Sequence, residues 1–461
     1  MTVAPQDFRS NVPGLTWPAL PDLVGAGALA LQYQLRESEQ APPAQIRGRQ
    51  FRQIAALLDH SFARIPFYRA RLERAGYAPG MSVDEAFWRR LPILTRQEVQ
   101  DAGAALRARE MPGWHGEQYA FSSGGSTGRP VNGVQTELHR LYFDAVTLRN
   151  HLWHRRDLTA RLAVIRFGGE VALANGRASA PGWNRPAASA FRNGPSELCD
   201  VHRPIAEQLA WLAEYGADYL LTYPSLLREL VLEAARRGVS LPRLRGVVTF
   251  GEVLDAATRA LVRERWGLAI GDTYSATETG YLALQCPGFE RYHVQAETCL
   301  VEILDDAGAP CAPGETGRVV ATPLHNFAMP LLRYDVGDYA EAGGACPCGR
   351  TLPVLNRILG RARNTFRRRD GSRFWPAGIS LSEDPVRQFQ IVETAPWQAE
   401  ARLVTTRPLA AAERAKAAAE IAGALLGEYA VRIVEVAAIA RSPSGKYEDF
   451  VALPPSPAGA R

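Results

Sequence analysis

DYLLTYPSLLRELVLEAARRG (218–238) and RGVVTFGEVLDAATRALVRERWG (245–267) decide the fold. Each opens with a short apolar run that ends in turn residues, then continues into a stretch whose apolar positions recur every three or four residues. Strand followed by helix, twice in succession, is the βαβ signature of a mainly parallel sheet with covering helices. RLAVIRFGG (161–169) supplies one more such apolar run upstream. Before it, QIRGRQFRQIAALLDHSFARI (45–65) and FYRARLERAG (67–76) have helical spacing, and SVDEAFWRRLP (82–92) starts with a serine cap followed by acids. Residues 297–340 change character: ETCLVEILDDAGAP and GETGRVVATPL are strands closed by Gly-rich turns, suggesting a smaller antiparallel subdomain. A basic, hinge-like segment follows at 360–376, and ARLVTT, the Ala-rich helix around Lys416 and VRIVEVAAI then form an α+β unit of about one hundred residues. The expected class is α/β, with a large N-terminal domain over residues 1–360 and a small C-terminal α+β domain over 361–461.

The 461 residues, 46% apolar and 22% charged, suit an ordinary globular protein with a large core. No secretory signal is evident, and the longest apolar candidate, LVGAGALALQY from residue 23, is too short to span a bilayer, so a cytoplasmic protein without a membrane partner is expected. Fifty-three basic residues against 48 acidic ones give +5, and the arginines lie scattered among acids, which argues against nucleic acid as a partner. The six cysteines form no dense framework; metal binding or plain burial is the expected use.

Two stretches carry chemistry. FSSGGSTGRPV (121–131) packs glycines and hydroxyls into a run that can wrap phosphate oxygens with backbone N–H groups, although such a run also serves as a plain linker. It is not a Walker A loop, because GxxxxGK[ST] is absent. SPSGKYEDF (442–450) holds Lys446, one of two lysines in a chain with 51 arginines. Ammonium is a compact point charge on a flexible stem, a job that a planar guanidinium does not duplicate. Lys416, the other lysine, reads as a solvated helix position.

SGGSTGRP (123–130), TYSATETG (273–280), LLRYDVGDY (331–339), GRARNTF (360–366) and SGKY (444–447) occur in the order and spacing of the core motifs of the adenylate-forming superfamily. IPFYRARLERAG (65–76) and CPCGRTLPVLNRILGR (346–361) make the chain resemble its phenylacetate-CoA ligase branch, over roughly residues 60–450. The resemblance implies ATP and Mg²⁺ as cofactors and a C-terminal domain that moves as a lid. It implies that Ser123, Gly124, Gly125, Ser126, Thr127, Gly128 and Arg129 form a mobile loop over the phosphates, Arg129 standing where the family usually has Lys. Thr277 and Glu278 would meet phosphate and Mg²⁺, a hard ion suited to carboxylate oxygen, although Thr-Glu also suits a helix N-cap. Asp338 would accept the ribose hydroxyls, while Gly251, Glu252 and Tyr274 would line the adenine. Ser275 replaces a common Gly, which would narrow the acyl pocket; Tyr142, Phe143, Tyr223 and Phe250 are candidates for lining it. Arg361 would sit at the hinge, where Arg363 and Asn364 depart from the family's usual Asp. Lys446 would reach the carboxylate and α-phosphate, stabilising charge as it develops.

Cys286 and His293 in CPGFERYH, with Cys346 and Cys348 in ACPCGR, match the ligand set of a structural zinc, with buried free thiols as the alternative. The function expected is a ligase that converts a carboxylic acid, expected to be aromatic, to acyl-AMP and pyrophosphate, then transfers the acyl group to coenzyme A. Transfer to an amine and a non-catalytic nucleotide-binding relative are the competing readings.

Overall fold

The computed structural model describes residues 7–123, 129–168, 176–376, 379, 381 and 385–453. The chain forms two compact units, one of residues 1–160, 180–195 and 273–358, the other of residues 161–179, 196–272 and 359–461.

In the first unit the sequence's helical opening is realised. Pro43–Arg64 buries Ile46, Phe51, Ile54, Leu57, Leu58 and Ser61, a single stripe at three- and four-residue spacing. Ile65 is extended, and Pro66, which has no N–H to donate, starts the next helix, Pro66–Arg74. Glu85–Arg90 is capped by Asp84, whose carboxylate accepts from the Phe87 N–H; the serine cap expected at the start of SVDEAFWRRLP is displaced to this better acceptor. Thr95 and Glu98 close a capping box on Arg96–Ala102. These helices pack Ile54, Leu57, Tyr68, Leu72 and Trp88 against Leu282, Leu284, Val319 and Val336 of a sheet, each such side chain adding about 1.5–3 kcal/mol by leaving water. That sheet is antiparallel: Cys299–Leu304 pairs with Thr316–Pro323, which pairs with Tyr334–Gly343, and Tyr292–Val294 bridges Val354–Arg361 and Gly280–Gln285. The antiparallel region therefore extends well beyond the expected 297–340.

The second unit begins with the parallel strands that the opening stretches imply. Ser196–Asp200, Leu162–Arg166, Tyr219–Thr222 and Gly246–Phe250 lie side by side in that order, all parallel. Pro224–Arg237 and Ala256–Trp266 follow the last two, each ending at a left-handed glycine, Gly238 or Gly267. From residue 359 the chain builds a four-stranded sheet ordered Ala430–Glu435, Gln398–Thr405, Val386–Ala395, Phe450–Val451, backed by Ala411–Ala424. Phe366, Phe389, Ile391, Leu403, Ile421 and Tyr429 form its own core. Among the described residues no helix is long and apolar enough to cross a membrane.

Candidate active site

The Gly/Ser loop hangs from a hairpin, Gln118–Ser122 paired with Asn132–Thr136. Gly124, Gly125, Ser126, Thr127 and Gly128 lie outside the described residues; the two ends of the loop do not. The Ser123 N–H donates to the Val131 carbonyl at 2.9 Å, and Ser123 Oγ accepts from the Val131 N–H at 2.8 Å. Helix Arg96–Ala102 grips both ends. Arg96 donates to Ser123 Oγ at 3.0 Å, while Arg129 reaches Asp101 at 3.0 Å and the Gln100 carbonyl at 2.8 Å.

Glu278 enters the same cluster. Arg96 Nη1 lies 3.1 Å from Glu278 Oε1, in a pair whose carboxylate side chain is only 8% exposed. Thr277, Glu278 and Thr279 are not a helix N-cap: they are the tight turn between Ile270–Ala276 and Gly280–Gln285, with Ala276 opposite Gly280. Gly280 closes that turn at φ +76°, a backbone that excludes ordinary side chains. The Thr277 carbonyl accepts from Gln135 at 2.9 Å. A register shift between Tyr274 and Ser275 turns the strand just before this point. Tyr274 donates to Asp338 Oδ2 at 2.9 Å, both groups buried, and the Asx turn before Asp338 is made by Asp335, which accepts from the Gly337 N–H.

Next to the turn is a small cavity that includes Tyr142 and Phe143 in its wall, together with His139, Thr279, Gly280 and His325. The other two aromatic candidates lie in the second unit: Tyr223 packs on Phe250 at 4.8 Å, and its hydroxyl donates to the Ser444 carbonyl.

Lys446 occupies a loop that the second unit fastens. The loop closes on itself, with the Ser442 N–H donating to the Lys446 carbonyl at 2.8 Å and the Lys446 N–H to Ser442 Oγ at 3.0 Å. Gly445 is required: φ is +79°, and a Cβ would meet Val201 Cγ1 at 2.5 Å. Glu252 accepts from the Tyr447 N–H at 2.7 Å and the Ser225 N–H at 3.0 Å, so its carboxylate is committed to this loop and to the start of Pro224–Arg237. A Cβ on Gly251, φ +77°, would lie 3.5 Å from Lys446 Cε. Arg441 bonds Glu229 at 2.6 Å and Ser225 Oγ at 2.8 Å, and Arg228 bonds Asp449 at 2.7 Å while lying over Phe389. Burial raises the carboxyls of Glu252 and Asp449, opposed by Arg441 and Arg228 respectively. Arg361 ends strand Val354–Arg361, and Arg363, the departure at the hinge, pairs with Glu448, two residues after Lys446. Sequence reading missed Arg96, Arg228, Glu229 and Arg441. The Thr95–Glu98 capping box beside Arg96 says nothing about where its guanidinium points.

Cys286, His293, Cys346 and Cys348 converge, their donor atoms all within 4.8 Å of one another. Cys346 Sγ lies 3.9 Å from Cys286 Sγ, and Cys348 Sγ lies 3.3 Å from His293 Nε2. Tetrahedral zinc with bonds of about 2.3 Å to sulfur and about 2.0 Å to nitrogen needs edges of roughly 3.8 and 3.5 Å. The donors fit. Burial pushes the His293 imidazole down to about 4, leaving it neutral and free to ligate at pH 7. Burial pushes the Cys286 thiol up to about 11; at Cys348 burial is outweighed by the Arg350 N–H and neighbouring groups, which lower it. Arg350 in turn pairs with Glu39 at 2.9 Å.

A family model described as AMP-binding enzyme matches residues 187–326. Phenylacetate-coenzyme A ligase of Thermus thermophilus is 28% identical over 343 residues, 70% of this chain and 72% of that one. The Escherichia coli phenylacetate-coenzyme A ligase is 24% identical over 344 residues, 70% of this chain and 73% of that one. A solved 2-hydroxyisobutyryl-CoA ligase, in its postadenylation state, shares the fold at TM-score 0.71 and 18% identity, with 91% of each chain covered. The AMP-binding match spans the Gly251–Glu252 and Thr273–Gly280 segments, and the chain is similar to phenylacetate-coenzyme A ligases over 70% of its length.

Proposed function

We propose that this protein is an ATP-dependent carboxylate ligase. A carboxylate oxygen of an aromatic acid attacks the α-phosphorus of ATP, the bond to pyrophosphate breaks, and acyl-AMP forms. The thiolate of coenzyme A then attacks the acyl carbon, and the bond to AMP breaks. Neither step needs a protein nucleophile; positioned charge and alignment are sufficient. The observation that carries this reading is Arg96, which ties the base of the Gly/Ser loop at Ser123 to Glu278 in one buried cluster. That Ser123, at the end of the Gly/Ser loop, and a carboxylate suited to Mg²⁺ share one cluster supports the reading.

Within this reading the loop 123–129 covers the phosphates, with Ser126 and Thr127 as hydroxyl donors. Glu278 and Thr277 would hold Mg²⁺, which supplies charge neutralisation at the phosphates. Asp338 takes the ribose hydroxyls, oriented by Tyr274. Gly251 and Tyr274 face the base, and Glu252 serves the Lys446 loop. Lys446, delivered by the C-terminal segment beyond residue 360, balances charge on the attacking carboxylate and α-phosphate. Cys286, His293, Cys346 and Cys348 would hold a structural zinc. One equivalent of zinc surviving gel filtration, and lost in Cys346→Ser, checks that assignment; a metal-free wild type rejects it.

The decisive experiment is pyrophosphate release from ATP across aryl and aliphatic acids, run with coenzyme A, with amines and with no acceptor. Acid-dependent release that coenzyme A alone accelerates is the expected result. Acceleration by amines alone makes the enzyme an amide synthetase, and ATP binding without release under any condition refutes the ligase reading.

A further inference from the structure

The Cys286, His293, Cys346 and Cys348 cluster is enclosed by groups that a ligand set alone does not call for. Three thiolates and a neutral imidazole around a dication leave one net negative charge in a largely buried place, and a buried charge without a counter-ion is costly. Arg350 stands where that charge falls, directing its N–H and its guanidinium toward Cys348 Sγ. Its orientation is fixed from two sides. Glu39 holds Arg350 Nε at 2.9 Å, and the guanidinium lies 4.4 Å over the ring of Trp153. Trp153 closes the circuit: its indole N–H donates to Glu39 at 2.7 Å, and its ring meets the His293 imidazole at 5.7 Å and 81°. Arg149, only 1% exposed, brings a second cation to 3.4 Å from Glu39. Two of the four ligands are thus backed by one network. That network also reaches helix Leu23–Ser38, because Glu39 is its C-cap and the Glu39 carbonyl accepts from the Thr351 N–H at 2.8 Å, just past the CPCGR turn.

We propose that Arg350, Glu39 and Trp153 form an outer shell that retains zinc at this site, and that through Glu39 zinc binding is coupled to the docking of helix Leu23–Ser38. The inference rests on the zinc assignment and adds the residues that make binding tight and the element that responds to it. Arg350 balances the charge, Glu39 aims Arg350, and Trp153 fixes the planes of Arg350 and His293. Outer-shell partners of this kind are worth about 10–100-fold in metal affinity. Coupling is reciprocal: whatever Glu39 adds to zinc binding, zinc adds to the docking of Glu39.

The test is the zinc Kd of the full chain, measured by chelator competition, together with hydrogen exchange of Leu23–Ser38 with and without zinc. Glu39→Gln and Arg350→Gln should each weaken zinc binding about 10–100-fold. Arg350→Lys, which keeps the charge without the planar fork, should recover part of that loss. Arg71→Gln, which breaks the Arg71–Glu98 pair in the same unit, should leave the Kd unmoved, separating the effect from general destabilisation. In the wild type, removing zinc should lower protection of Leu23–Ser38, and in Glu39→Gln that protection should no longer depend on zinc. The wild-type exchange experiment decides even where a variant fails to fold. A Kd unmoved in both glutamine variants, or Leu23–Ser38 equally protected with and without zinc in a wild type that binds it, overturns the proposal. A wild type that binds no zinc is a different result, because it overturns the zinc assignment itself.

Discussion

Glu278 and Lys446 have opposite charges and are held in opposite ways. Glu278 sits in the turn of an antiparallel hairpin whose strands are paired on both sides of it, so its backbone is held by the ladder and its carboxylate by Arg96. Lys446 sits on an irregular loop fastened by side chains: Glu252 on the Tyr447 N–H, Arg441 on Glu229, Arg228 on Asp449 and Arg363 on Glu448. Those contacts all use side chains and lie outside the strand-to-strand hydrogen bonds of the four-stranded sheet. One group is therefore fixed by architecture and the other by a clasp of side-chain pairs, and under the proposed ligase reading the second suits a lysine that serves one half-reaction.

The largest effect should come from removing the lysine. Lys446→Ala should lower acid-dependent pyrophosphate release by about 10²–10³-fold, the usual loss when one preorganised charge-stabilising donor is deleted. Conversion of supplied acyl-AMP and coenzyme A should continue, and the melting temperature should not move, because the clasp is made by neighbouring residues. Full retention of pyrophosphate release in this variant would remove Lys446 from the reaction.

How much of this was legible in the sequence follows from the same contrast. The parallel strands could be read because each apolar run is continuous and ends in turn residues, whereas Ser123, Glu278 and Asp338 were singled out by motifs that resemble the superfamily's, and Lys446 by that and by the rarity of lysine. The Cys/His cluster was legible for the same chemical reason. Arg96 was not, since it is one of 51 arginines and its carboxylate lies 182 residues away. Arg441 meets Glu229 across 212 residues and was equally silent. The full reach of the antiparallel sheet was hidden by Tyr292–Val294, whose three residues are too few for a period. The helix-cap reading of Thr277 and Glu278 yielded to Gly280, whose positive φ makes a hairpin turn instead.

Acid should separate the two units next. His60, His115, His139, His151, His154 and His325 all lie in the first unit, and burial lowers each of them, His139 to about 4 and His154 and His325 to about 3. The unfolded chain binds their protons as pH falls through 6.5 while the folded unit does not, so stability present above pH 6.5 drains away until the folded values are reached. For His139 alone the loss is on the order of 3 kcal/mol. Glu252 and Asp449 in the second unit are raised by burial, so the folded form takes up their protons first and is favoured as pH falls. Hydrogen exchange at pH 7 and pH 5 should therefore show protection lost in the first unit before the second. Equal loss in both would refute the burial of neutral histidines as the cause.

The smallest effect tests the clasp itself. Arg441 is largely buried, with Glu229 at 2.6 Å and Glu252 at 3.6 Å. Arg441→Gln leaves both carboxylates without this cation, which loosens the loop but spares Glu252's backbone bonds to Tyr447 and Ser225. Pyrophosphate release should fall about tenfold, or ~1.4 kcal/mol, in kcat, with KM for ATP unchanged. In the proposed reading Arg96 lies where ATP is held, so in Arg96→Gln the same assay should show the loss in KM for ATP instead. Conversion of supplied acyl-AMP to thioester should be normal in Arg441→Gln, because that step does not use Lys446. A general structural defect would depress both half-reactions together, and that outcome would show Arg441 to be ordinary packing, with Lys446 positioned by its own turn of Ser442 and Gly445.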